Sequence, residues 1–170
     1  KNNVQLIRSL AVKKYRQKYH KYLAEGDKIC QEILSHAFEE VEMTYCLKEF
    51  HTNNSKRMNE LGIPFTIVNQ ADLKKISCLK TPQQCLIVMN ITTNSIVKSE
   101  NTDIIVYLDD IRDPGNLGTI IRSCEWFGVD LLLLSPSTVD PYNPKVVQAT
   151  MGSIFRIKHL QKSLEEFIQD

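Results

Sequence analysis

The stretch from Ile104 to Ser135 limits the possible folds of this chain more than any other. Ile104–Leu108 is apolar and strand-like, DDIRDPGNLG follows, Ile120, Ile121, Cys124 and Phe127 recur at helical spacing, Gly128 stops that helix, and Leu131–Leu134 is all leucine. Four leucines in a row show no polar alternation, so as a strand they must be covered on both faces, as in a parallel sheet packed between helices. Strand, helix and strand in this order predict a βαβ unit. Its first strand runs into the loop Asp113-Pro114-Gly115-Asn116-Leu117-Gly118. Open parallel sheets bind ligands beyond the carboxyl ends of their strands, which makes this loop a candidate site. Its two glycines permit close backbone approach, and the helix that follows offers amide donors to a polar or anionic group. A plain strand-to-helix turn accounts for the same residues. The glycine spacing matches neither the dinucleotide fingerprint nor the phosphate-binding loop, which counts against a nucleotide-binding protein of the flavodoxin kind.

The rest of the chain also alternates helix and strand. Leu6, Ile7, Leu10, Ala11 and Tyr15 keep helical spacing between Val4 and Tyr22, as one helix or two short ones. Asp27 can cap a helix bearing Ile29, Cys30, Ile33 and Leu34. Strands are expected over Val41–Leu47, Pro64–Val68 (buried) and Cys85–Ile91, with helices over Asn54–Leu61 and Gln70–Leu79. Thr92–Thr102, rich in Asn, Ser and Thr, reads as a linker. Beyond the βαβ unit, Pro144 opens a helix that reaches about Thr150, Gly152 breaks it, Ile154–Ile157 reads as a strand, and Ser163 caps a last helix. Helix–strand alternation of this kind implies a layered α/β fold.

Charge is distributed unevenly. Residues 1–28 hold eight Lys or Arg against Glu25 and Asp27, yet the whole chain carries a net charge of only +1. A basic segment joined to an acidic body suits contact with phosphates at one end, with Lys14, Arg16 and Lys18 as the candidates; a solvated helix face explains the charges equally well. The five cysteines form no CxxC pair, which argues for free thiols over a metal centre or a disulfide framework. No apolar run approaches the roughly 20 residues of a membrane-spanning helix, and no secretory leader is evident at Lys1, so a cytoplasmic protein is expected. The four histidines form no local pair.

Arg122 lies six positions after Asn116 in a mostly apolar helix, with Glu125 three residues further on. An ordinary ion pair within the helix is one reading. The other is a guanidinium held by Glu125 and aimed at a phosphate or ribose, whose oxygens match its fork of donors.

The segment LDDIRDPGNLGTIIRSCEWFGVDLLLL resembles the first motif of the SpoU (TrmH-like) RNA ribose methyltransferases of the SPOUT superfamily. The shared features are an apolar strand, a DPxNLG loop, an Arg six residues after its Asn, an acidic residue three after the Arg, then GV and a second strand. KKYRQKYHKYLAEGDKICQEIL is similar to the substrate-binding domain that these enzymes often carry in front, and NPKVVQATMGSIFRI to the segment after the first motif. The resemblance implies a small α/β RNA-binding domain over residues 1–95, followed by the N-terminal part of a trefoil-knot, parallel-sheet methyltransferase domain over residues 96–170. It implies 2'-O-methylation of a ribose in rRNA or tRNA with S-adenosylmethionine as methyl donor, and a homodimer. Arg122, Asn116 and Glu125 become the implied catalytic set, with Glu125 fixing Arg122. The family's GxEGxG-type loop and proline-led PMxGxxxSLNxSxA segment are not matched here, so most cofactor contacts are expected downstream of Asp170, with Thr150 and Gly152 as candidates within the chain. The rival reading is an RNA-binding module without catalysis.

Overall fold

A computed structural model describes residues 2–92 and 104–169. Most of the expected linker lies outside the described residues. The chain divides into two compact units, Lys1–Thr92 with Tyr142–Pro144, and Thr93–Pro141 with Lys145–Asp170.

The first unit contains α1 (Asn2–Ser9), α2 (Lys13–Tyr19), β1 (Lys21–Glu25), α3 (Asp27–His36), β2 (Val41–Cys46), α4 (Lys48–Glu60), β3 (Phe65–Ile67), α5 (Gln70–Ile76) and β4 (Cys85–Asn90). Its sheet has the order β1-β4-β2-β3, with β4 antiparallel to both β1 and β2, and β3 parallel to β2. The register Leu23↔Val88 puts those two side chains on one face, where Ile7, Leu10, Leu73, Ile76 and Leu86 complete a buried cluster. Alternation turns Cys85, Ile87 and Met89 to the other face, against which α3 packs with Ile29, Cys30 and Ile33 buried. All five cysteines are free, and only Cys78 is exposed.

Three expectations for this half are corrected. The stretch Lys21–Glu25 is a strand, where helix was expected to run to Tyr22: His20 takes a left-handed conformation (φ 50°) that ends α2, and the next residues pair with β4. Phe65–Ile67 is not a buried strand. It lies at the sheet edge, paired with β2 alone among the described strands, and Ile67 is 47% exposed. Arg16 is not a surface cation. It is 2% exposed, and its Nη1 donates to the carbonyls of Leu10 (2.8 Å) and Ala11 (2.9 Å) at the corner between α1 and α2. Carbonyls freed at a helix end need donors, and a buried guanidinium needs acceptors, so this contact serves both.

The second unit comprises β5 (Ile105–Leu108), α6 (Pro114–Trp126), β6 (Leu131–Leu134), α7 (Pro144–Thr150), β7 (Lys158–Gln161) and α8 (Leu164–Gln169). The three strands are parallel in the order β5-β6-β7. All four leucines of β6 are buried, as a central strand covered on both faces requires. Leu132 and Leu134 share a core with Leu117, Ile121 and Cys124 of α6 and with Val146 of α7. Residues 153–155 form a 3-10 turn and the strand follows at Lys158–Gln161, so the strand expected over Ile154–Ile157 is displaced. Ser163 and Glu166 cap α8 reciprocally through Ser163 Oγ and a Glu166 carboxylate oxygen. Among the described residues no helix is long and apolar enough to cross a membrane.

Candidate functional site

The carboxyl ends of β5 and β6 are tied together. Backbone N–H groups of Asp110 and Ile111 donate to the hydroxyls of Ser135 (3.0 Å) and Thr138 (3.3 Å), and Val139 N donates to Ile111 O at 2.8 Å. Asp110 sits in the left-handed region (φ 52°), which Asp tolerates, and its carboxylate accepts from Arg112 Nε at 2.9 Å. That hydrogen bond holds the Asp110 carboxyl below the ordinary aspartate range. The Asp113 carboxylate then caps α6 by accepting from Asn116 N at 2.8 Å, with Pro114 as the first helical residue. The loop therefore satisfies itself, and one of the amides expected to face a ligand is already taken.

Gly118 also has a different role from the one expected. A Cβ at Gly118 would overlap the Ala149 side chain and lie 2.9 Å from the Ala149 carbonyl carbon. The close approach it allows is that of α7 rather than of a ligand.

A cleft of about 580 Å³ opens along α6 and the turn after α7, lined by Thr119, Arg122, Ser123, Glu125, Trp126, Phe127, Met151, Ser153 and Arg156. Of the implied catalytic set it unites Arg122 and Glu125. Asn116 does not line it; six residues of helix put Asn116 about 9 Å along the axis from Arg122 and about 120° around it.

The ion pair expected between Glu125 and Arg122 is absent. Glu125 Oε1 accepts from Arg156 Nε at 2.9 Å and Oε2 from Ser153 Oγ at 3.3 Å. Arg122 is exposed and has no hydrogen bond or ion pair with any described residue. Tertiary geometry thus overrides the i,i+3 pairing read from the sequence.

Thr150 and Gly152 do not line the cleft either. Thr150 is fully buried and its hydroxyl donates to the Val147 carbonyl at 2.7 Å, while Gly152 (φ 96°) turns the chain out of α7. Arg156 belongs to no motif in the sequence, although an Arg between Phe155 and Ile157 in an apolar segment is a usable signal. Burial pushes the Cys124 thiol above its ordinary range, which leaves it an inert core group.

Two guanidinium groups, three hydroxyls and one paired carboxylate suit phosphate or ribose oxygens. They do not fit a sulfonium cation. Trp126 and Phe127, 82% and 77% exposed, form an apolar lip at the carboxyl end of α6. In the first unit, Lys14 and Lys18 of α2 are exposed, with Lys18 Nζ 5.3 Å from the centre of the Tyr19 ring.

Residues 103–170 match the model of the SpoU rRNA Methylase family, and residues 1–87 match that of the MRM3-like substrate binding domain. The chain belongs to the SpoU rRNA methylase family. It is 26% identical over 166 residues to the 23S rRNA (guanosine(2553)-2'-O)-methyltransferase of Bacillus subtilis, with 96% of this chain and 63% of that protein covered. It is 30% identical over 156 residues to human mitochondrial rRNA methyltransferase 3, with 84% of this chain and 35% of that protein covered. The crystal structure of an AdoMet-bound rRNA methyltransferase from Sinorhizobium meliloti superposes with a TM-score of 0.83 at 28% identity, covering 98% of this chain and 64% of that one. The chain thus spans under two thirds of the length of each of these SpoU relatives.

Proposed function

We infer that this SpoU chain is part of a methyltransferase that transfers a methyl group from S-adenosylmethionine to a ribose 2'-hydroxyl in rRNA. The observation that carries the reading is the unpaired Arg122 guanidinium, exposed in a cleft beside the helix of the matching SpoU segment. S-adenosylmethionine supplies an activated methyl; the AdoMet-bound relative supports this choice of donor. The two units then divide the work. Residues 1–87, with their match to a substrate-binding domain, take RNA, with Lys14 and Lys18 meeting its backbone, and the second unit presents Arg122 to the target nucleotide. Asn116 serves at the loop, where its N–H completes the cap of α6.

The test incubates the full-length protein with methyl-labelled S-adenosylmethionine and an unmodified large-subunit rRNA transcript. Label is expected on one ribose 2'-oxygen, recognised because alkali no longer cleaves the backbone at that nucleotide. Neutralising Lys14 and Lys18 together is expected to lower the slope of log affinity against log salt by about 1 to 2. RNA binding without methyl transfer would favour the binding-module reading, and label on a base would refute ribose chemistry.

The exposed Trp126–Phe127 lip supports a homodimer, because contiguous exposed aromatics mark association surfaces. Light scattering on the full-length protein is expected to give twice the monomer mass, and Trp126→Ser with Phe127→Ser to halve it. A monomeric parent protein would end that proposal.

A further inference from the structure

The cleft holds two cations and one anion, and its net effect on RNA depends on which cation the anion neutralises. Glu125 stands three residues after Arg122 on the same helix, a spacing at which opposite charges ordinarily meet. Both of its carboxylate oxygens are instead turned to the segment after α7, one to Arg156 Nε at 2.9 Å and the other to Ser153 Oγ at 3.3 Å. The Arg156 and Glu125 side chains are only 29% and 27% exposed, so solvent screens this pair less than a fully exposed one. Ser153 is 5% exposed and adds a hydrogen bond from a fixed position.

We propose that Arg156 is a positioning residue that captures Glu125 and so leaves Arg122 as the uncompensated cation of the cleft, free to bind an RNA phosphate. This rests on the reading in which Arg122 meets RNA. With Arg156 absent, Glu125 is released within reach of Arg122. Its carboxylate then pairs with that guanidinium and repels the incoming phosphate, and either effect cancels one positive charge at the site. Arg156 acts through Glu125 and need not touch the RNA.

The experiment measures binding of an unmodified large-subunit rRNA transcript to the full-length protein over a series of salt concentrations. Arg122→Gln sets the reference: about fivefold weaker binding at 0.15 M salt and a salt slope smaller by about 1. Arg156→Gln is expected to reproduce both changes although Arg122 is intact, Arg156→Lys to retain most of the affinity by keeping the charge, and Glu125→Gln alone to bind as tightly as the parent or tighter. Adding Glu125→Gln to Arg156→Gln is expected to restore affinity and slope to within about twofold of the parent, a rescue that neither a folding defect nor a direct Arg156–phosphate contact would give. An unchanged Arg156→Gln protein, or a loss that Glu125→Gln does not reverse, overturns the proposal. If Arg122→Gln itself binds normally, the RNA-contact reading fails instead, and the two failures are distinguishable.

Discussion

Gly118→Ala is expected to lower the melting temperature of the second unit by about 10 °C, the equivalent of about 2 kcal/mol in a domain of this size. Two effects of opposite sign compete at this position. Alanine in a helix interior is favoured over glycine by up to about 1 kcal/mol. Against this, the new methyl group would overlap the Ala149 side chain and approach the Ala149 carbonyl carbon to 2.9 Å. One obstacle is backbone, which no rotamer change relieves, so α6 and α7 must separate. Overpacking of this kind costs about 1 to 3 kcal/mol or more, and the crowding therefore outweighs the helix propensity. Leu117, Ile121 and Val146 pack in the same core and would lose contact as the helices part. Ala149→Gly in the Gly118→Ala background is expected to recover part of the loss, because it removes the overlapped methyl. Gly115→Ala is the control: its Cβ would meet only the Asp113 Oδ1 atom, at 3.1 Å, and a carboxylate can shift. Thermal melts of the three variants decide the matter, and a Gly118→Ala protein as stable as the parent would refute the close packing of α6 on α7.

The parts of the fold that were legible in the sequence are those where a single physical requirement dominates. A run of four leucines has few uses other than a central parallel strand, and Leu131–Leu134 is one. Pro144 and Ser163 mark helix starts through local chemistry alone, and α7 and α8 begin there. Elements whose stability comes from distant partners were less legible. Lys21–Glu25 continues the apolar spacing of the preceding helix, and only pairing with β4 makes it a strand. Lys158–Gln161 carries a single aliphatic residue, Leu160, yet needs little more, because among the described strands it pairs with β6 alone.

The same division holds for charged side chains. Arg16 lies in a basic run and reads as a phosphate contact or a solvated face, but the turn between α1 and α2 places two carbonyls within its reach. Glu125 reads as the partner of Arg122 at helical spacing, yet finds Arg156 across 31 positions of sequence. Periodicity along one helix carries no information about a guanidinium brought in by another segment, so Arg122 and Glu125 were legible in the sequence as charged residues of a site while Arg156 and its pairing were not.

Arg122→Gln is expected to reduce the rate of methyl transfer by about 100- to 1000-fold, far more than it weakens RNA binding. Whatever donates the methyl group, the ribose 2'-oxygen must shed its proton as it becomes nucleophilic, and negative charge develops there. A guanidinium is protonated at every accessible pH and so does not take that proton. It stabilises the oxygen, or the phosphate that accepts the proton, as charge accumulates. Removing one such donor from a preorganised site typically costs 100- to 1000-fold in turnover, while losing one phosphate contact costs about fivefold in affinity at 0.15 M salt. The variant should therefore show a collapsed kcat and a modestly raised KM. Arg122→Lys keeps the charge but loses the planar fork, and is expected to recover binding while leaving most of the rate defect in place. Single-turnover methylation of the rRNA transcript separates these quantities. A kcat within twofold of the parent in Arg122→Gln would remove this residue from the chemistry and leave the cleft as a docking surface. The opposite split, a raised KM with kcat unchanged, would make Arg122 a binding residue whose contact is as strong before the reaction as during it.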